Sequence, residues 1–128
     1  MKEREARKMN VLMVVGLCVI AAVLGQIFQK KGMKEVGEIS IKELFSPKIL
    51  NIVFQKYVFI GITFYVLGSG LWLVALSKGD VSKIYPLLGT GYIFTAILAF
   101  LFLGEKLTAL RIIGVLLISL GAYFTILS

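Results

Sequence analysis

The stretch Gly25-Gln26-Ile27-Phe28-Gln29-Lys30-Lys31-Gly32 closes an apolar run with two amides and two ammonium groups, and it contains no carboxylate. At about 100° per residue, Gln26, Gln29 and Lys30 fall within an arc of about 100°, and Ala22 and Cys18 continue that face toward the N-terminus. Each glutamine amide offers two N–H donors and a carbonyl acceptor, a set that matches hydroxyls or phosphate oxygens. Lys30 and Lys31 add positive charge beside it. An amide in hydrocarbon is costly unless it finds a partner, so this face is expected to look into a helix bundle. The same residues also suit a plainer role, with the glutamines bonding between helices and the lysines extending their charged heads to the membrane surface.

A second set of polar groups follows later in the chain. Tyr85, Gly89, Tyr92, Ala96 and Ala99 are spaced so that they return to one face of a helix. Two phenolic hydroxyls among small residues serve either as a cavity lining or as a packing stripe. On the first reading Gln26, Gln29, Lys30, Tyr85 and Tyr92 are the candidate substrate-binding residues. The acids Glu3, Glu5, Glu35, Glu38, Glu43, Asp80 and Glu105 all lie in tails, loops or helix ends, so none sits mid-membrane to release a proton or to pair with a cationic drug. Histidine is absent from the sequence, and Cys18 lies in a greasy run where a thiol acts as an apolar filler. No catalytic residue, metal site or cofactor is therefore assigned, and the chain does not read as an enzyme.

The elements that must position these residues follow from hydropathy. The chain has 128 residues, 59% of them hydrophobic and only 16% charged, where a soluble domain carries about 25% charged residues. Mean hydropathy is +0.94. Four apolar runs approach the roughly 20 residues that cross about 30 Å of hydrocarbon. They predict helices over about 11–29, 50–77, 83–103 and 108–127. The polar segment 31–49 holds Ile41, Leu44 and Phe45 beside Lys42 and Glu43, the pattern of a short interfacial helix. Ser46-Pro47 reads as a helix start, Gly79-Asp80 as a turn, Ser82 and Thr108 as caps, and Gly104 as a stop. Pro86 falls within the first turns of the third helix, where a missing donor is tolerated or makes a kink. The expected fold class is all-α: a polytopic membrane protein forming a single four-helix domain over 1–128. A cleaved secretory signal is the other reading of the basic N-terminus and first apolar run. The length of that run, its lysine-rich far flank and the lack of a small-x-small cleavage site argue against it.

The net charge of +7 does not form a separate basic domain, so no nucleic-acid partner is expected. The cations sit at helix ends, where they meet the lipid bilayer. Lys2, Arg4, Arg7, Lys8, Lys78 and Lys83 fall on one face, and Lys30, Lys31, Lys34, Lys42, Lys48, Lys56, Lys106 and Arg111 on the other. Six against eight instructs orientation only weakly. Four helices filled by side chains leave little room for a pathway, so a dimer is expected, with itself or with a paralogue. Gly114 and Gly121, one face of the last helix, are the candidate dimer seam, although they equally suit seating that helix on its own bundle.

Several strings also carry a family resemblance. The segment from Tyr85-Pro86 through LGEKLT to the glycine-spaced last helix resembles the closing helices of EamA-type units in the drug/metabolite transporter superfamily. GQIFQKKG is similar to the opening helix of the small paired subunits that flip undecaprenyl-phosphate-aminoarabinose across the bacterial inner membrane. The four-helix length more distantly resembles small multidrug resistance proteins. The resemblance implies a carrier of an amphipathic or anionic substrate, a polyprenyl-phosphate sugar among them, in the cytoplasmic membrane. It maps Gln26, Gln29 and Lys30 onto the flippase-like string and Tyr85 onto the substrate-facing tyrosine of small multidrug pumps. With Gly25 and Lys30 matched to their glycine and lysine, those pumps place an acid near Ala22 and a tryptophan near Leu88, and this chain has neither, a departure that speaks against proton-driven drug export. A small-metabolite or drug exporter of the same fold, and a non-transporting subunit of a larger complex, are the alternatives carried forward.

Overall fold

The structure, a computed structural model, describes residues 2–128. Helix α1 spans Lys2–Val36, longer than the apolar run at 11–29 that hydropathy marks. Its 35 residues extend about 52 Å at 1.5 Å each, well beyond the hydrocarbon. The flanks are rich in Glu, Lys, Arg and Met, good helix formers that let the helix continue into the headgroup region and water. It stops at Gly37, whose positive φ of 91° suits glycine and whose N–H donates to the Met33 carbonyl at 2.8 Å.

The polar segment holds two short helices, α2 (Ile41–Leu44) and α3 (Lys48–Val53). Ile41 and Phe45 are largely exposed, as befits apolar groups resting at a headgroup boundary. The second span, α4, covers Lys56–Lys78 and is separated from α3 by Phe54 and Gln55. The hydropathy pattern runs through this break, but Gln55 restarts the helix: its Oε1 accepts the Tyr57 and Val58 N–H groups at 2.9 Å each.

The third span is two segments, α5 (Val81–Leu88) and α6 (Gly91–Leu103). Asp80, rather than Ser82, occupies the N-cap, and its carbonyl accepts from Lys83 and Ile84 at 3.0 Å. Past Pro86, the Gly89 and Thr90 N–H groups reach carbonyls only three residues back, at 2.9 and 3.1 Å. The Thr90 hydroxyl donates to the Leu87 carbonyl at 2.6 Å, which fixes the tightened turn. Helix α6 ends at left-handed Gly104, with the Glu105 N–H donating to the Ala99 carbonyl at 3.2 Å. Helix α7 spans Ala109–Leu127, and its cap Thr108 accepts the Arg111 N–H at 3.2 Å.

Among the described residues, four helical spans are long and apolar enough to cross a membrane, and the chain is an all-α, multi-pass protein of the cell membrane. Helix α1 is central. Its Val15, Val19 and Val23 form the core with Ala75 of α4 and Ile84 of α5. It packs along α4 and against α5 and α6, whereas α7 meets chiefly α5 and, more lightly, α6. Of the apolar windows, 33% of α1 is buried but only 11% of α7, so α7 stands at the edge of the bundle.

Candidate functional site

The site begins where α1 and α4 cross on glycines. A methyl group at Gly25 would lie 3.0 Å from the Gly61 carbonyl oxygen and 2.7 Å from the Tyr65 ring, and one at Gly61 would lie 2.6 Å from Gln29 Cγ. Further along, Gly68 faces Ala21 at 3.2 Å, and Gly32 faces the Val58 nitrogen at 2.7 Å. Small residues thus let the two backbones touch, the means by which helices associate where lipid offers no hydrophobic drive.

That approach brings Gln26 to Tyr65. The Gln26 amide Nε2 donates to the Tyr65 hydroxyl at 2.7 Å. Gln26 itself stays exposed at the helix edge, and Tyr65 is half-buried. With its oxygen accepting, Tyr65 keeps its own O–H to donate, while Gln26 retains a second N–H and its carbonyl. The pair is an interhelical tie that leaves free donors and an acceptor able to meet a further polar group. Sequence reasoning did not single out Tyr65. The signal lay in α4, where Gly61, Tyr65, Gly68 and Trp72 recur at steps of four, three and four.

Beyond Tyr65 the α1 face continues as a groove of about 140 Å³ lined by Cys18, Ala22, Tyr65, Gly68, Trp72 and Leu88, among others. Tyr85 meets Trp72 edge to face, 6.0 Å between ring centroids at 70°. Gln29 is half-buried with its stem over Gly61. Tyr92 sits half-exposed on α6 and does not line this groove. The five-residue face expected for Tyr85, Gly89, Tyr92, Ala96 and Ala99 is divided. Gly89 approaches Ile118 of α7, Ala99 is buried, and the tyrosines point outward. Counting 100° per residue assumes a continuous helix, and the turn at Gly89 and Thr90 interrupts it.

The cations at this end divide by task. Lys30 is exposed. Lys31 and Lys56 hold their ammonium groups 4.6 and 4.8 Å from the Tyr57 ring centroid, a shared cation–π contact. Lys34 donates to the Leu103 carbonyl at the end of α6, where a cation complements the helix dipole. Gln55 Nε2 donates to Glu35 at 2.7 Å and so links α1 to the start of α4. On α7, a methyl group at Gly114 or Gly121 would meet nothing within 4 Å, so neither position needs glycine for a close approach within this chain.

Residues 38–127 match the family described as "EamA-like transporter family". The chain is 32% identical over 109 residues to "Probable 4-amino-4-deoxy-L-arabinose-phosphoundecaprenol flippase subunit ArnF" of Proteus mirabilis (strain HI4320), covering 81% of this chain and 82% of that protein. It is 27% identical over 115 residues to "Probable 4-amino-4-deoxy-L-arabinose-phosphoundecaprenol flippase subunit ArnE" of Pseudomonas savastanoi pv. phaseolicola (strain 1448A / Race 6), covering 90% and 95%. To an "Uncharacterized transporter in cobO 3'region" of Sinorhizobium sp it is 30% identical over 112 residues, covering 85% and 67%. No solved structure gives a significant match. A four-span helical chain whose matched segment runs from the first loop through the last helix belongs to the EamA-like transporter family and is a membrane transporter of that type.

Proposed function

We propose that this chain is one subunit of a carrier, not an enzyme, that moves the phosphate-linked sugar headgroup of a polyprenyl lipid across the membrane. The Gln26 to Tyr65 hydrogen bond carries the reading, because it sets neutral donors and acceptors at the edge of two membrane-crossing helices. A sugar hydroxyl or phosphate oxygen exchanges hydrogen bonds with such a pair, and the prenyl tail stays in lipid throughout. Gln26 and Gln29 hold headgroup oxygens, Lys30 balances phosphate charge, and Tyr85 with Trp72 supplies an aromatic face for the sugar. Tyr92 contributes a further contact in the assembled carrier.

Two relatives of similar length are each named as a flippase subunit, which supports a second chain as partner. The open glycine face of α7 is the proposed seam for that partner, a paralogue or a second copy. Reconstitution into vesicles with a polyprenyl-phosphate sugar, alone and with a co-encoded homologue, tests the reading. Headgroup passage is expected with the intact chain, and Gln26→Ala should slow it about tenfold, the equivalent of about 1.4 kcal/mol. Equal passage in protein-free vesicles and in wild type, or saturation by a water-soluble metabolite instead, would overturn it.

A further inference from the structure

The end of α1 opposite Gln26 holds a group of cations that headgroup recognition at Gln26 does not use. Arg4, Arg7 and Lys8 share one face of α1, and Lys78 and Lys83 flank the turn into α5. These five cations line a groove of about 330 Å³ in which Asp80 is the lone acid. Its floor is apolar, with Val11, Ile84 and Ile126. Leu12 and Leu87 close this groove and also open a second, of about 520 Å³, that follows Val15, Val19 and Val23 along α1 toward Leu98 of α6. The two grooves adjoin through these shared lining residues, one cationic and the other apolar along its length, with Thr90 the single polar lining residue of the latter.

We propose that this groove binds one net-anionic, phosphate-headed lipid from the leaflet at the N-terminal end of α1. A free anion would engage the cations and leave the trough empty. A neutral hydrocarbon would fill the trough and leave five cations facing one acid. An anionic amphiphile satisfies both, and arginine forks suit phosphate oxygens in particular. The dimensions agree: Leu12 to Leu24 spans about 18 Å of helix at 1.5 Å per residue, close to half of a hydrocarbon core of about 30 Å. Arg7 lies about 28 Å along α1 from Gln26, so this site and the glutamine site belong to opposite faces. On the carrier reading, and resting on it, the groove is the docking position of a lipid on the far side; the binding itself needs no transport.

Native mass spectrometry of the purified chain in detergent tests this with dioleoyl phosphatidylglycerol, dioleoyl phosphatidylcholine and inorganic phosphate as probes. One phosphatidylglycerol per chain should be retained, about tenfold more tightly than phosphatidylcholine, and inorganic phosphate should not displace it. Combining Arg7→Gln, Lys8→Gln and Lys83→Gln should weaken retention about tenfold, whereas combining Lys42→Gln, Lys48→Gln and Lys106→Gln, which removes the same charge elsewhere, should not. Gly16 lines the trough, and a methyl there meets nothing within 4 Å. Gly16→Trp, or Gly16→Leu should the larger side chain impair folding, fills the trough without changing charge and should also weaken retention. Equal retention of the two lipids, displacement by inorganic phosphate, or full retention by the folded Gly16 variant would each overturn the proposal. So would a Leu12→Cys variant that cross-links two copies and excludes lipid. Lipid retention without headgroup passage would defeat the carrier reading and leave this site standing.

Discussion

Gly25 and Gly61 meet backbone to backbone: a methyl group on Gly61 would stand 2.6 Å from the Gly25 carbonyl oxygen. Real side-chain carbons do not approach so closely, and the neighbour is a helix backbone that cannot swing aside. Gly61→Leu must therefore push α4 from α1, at a cost of about 1–3 kcal/mol. Gly114→Ala, with open space around it, should stay within about 0.5 kcal/mol of wild type. Unfolding of both variants in detergent measures the contrast; equal stability would show that the crossing tolerates separation.

The Gln26 to Tyr65 bond predicts a coupled pair. Tyr65→Phe keeps the ring that packs on Gly25 and removes the hydroxyl, so stability should fall by only about 0.5–1.5 kcal/mol. Headgroup passage should fall about as far as in Gln26→Ala, and the double variant should be little worse than either single one, because each change disables the same donor–acceptor set. Strict additivity in vesicle transport would assign the two residues separate tasks.

Gln55 holds two places together, capping α4 through its carbonyl and bonding Glu35 through its amide. Gln55→Ala should cost about 0.5–2 kcal/mol, as loss of a helix cap does. Hydrogen exchange should rise first at Tyr57 and Val58, whose N–H groups lose their acceptor. Unchanged protection at those amides would mean that other groups or water satisfy them.

Association is read at α7. Gly121 is exposed and a β-carbon there meets nothing within 4 Å, so in Gly121→Leu the monomer should fold normally and any dimer or heteromer should weaken. Cross-linking in membranes, or mass measurement of the detergent-solubilised assembly, reports this directly. Intact assembly in Gly121→Leu would move the seam to another face of the chain.

Helix ends and small-residue contacts were unequally legible in the sequence. Gly104 and Thr108 could be placed because each acts on its own neighbours, one through left-handed backbone and the other through a side-chain cap. The full reach of α1 could not, since hydropathy reports what lipid demands and is silent where charged residues remain good helix formers. The turn at Gly89 and Thr90 also escaped, and with it the division of the tyrosine stripe. A proline announces a lost hydrogen bond without fixing where the chain will tighten.

The sequence by itself determined the membrane class, the four spans and the exclusion of acids from their interiors, because hydrophobicity and charge act residue by residue. Only tertiary structure decided which polar groups come together. Tyr65 joined Gln26 because Gly25 and Gly61 bring two helices into contact. Gly114 and Gly121 were left open because α7 packs at the margin of the bundle through other residues. Such pairings depend on the crossing of helices distant in sequence, and periodicity along one helix carries no information about its neighbour's rotation.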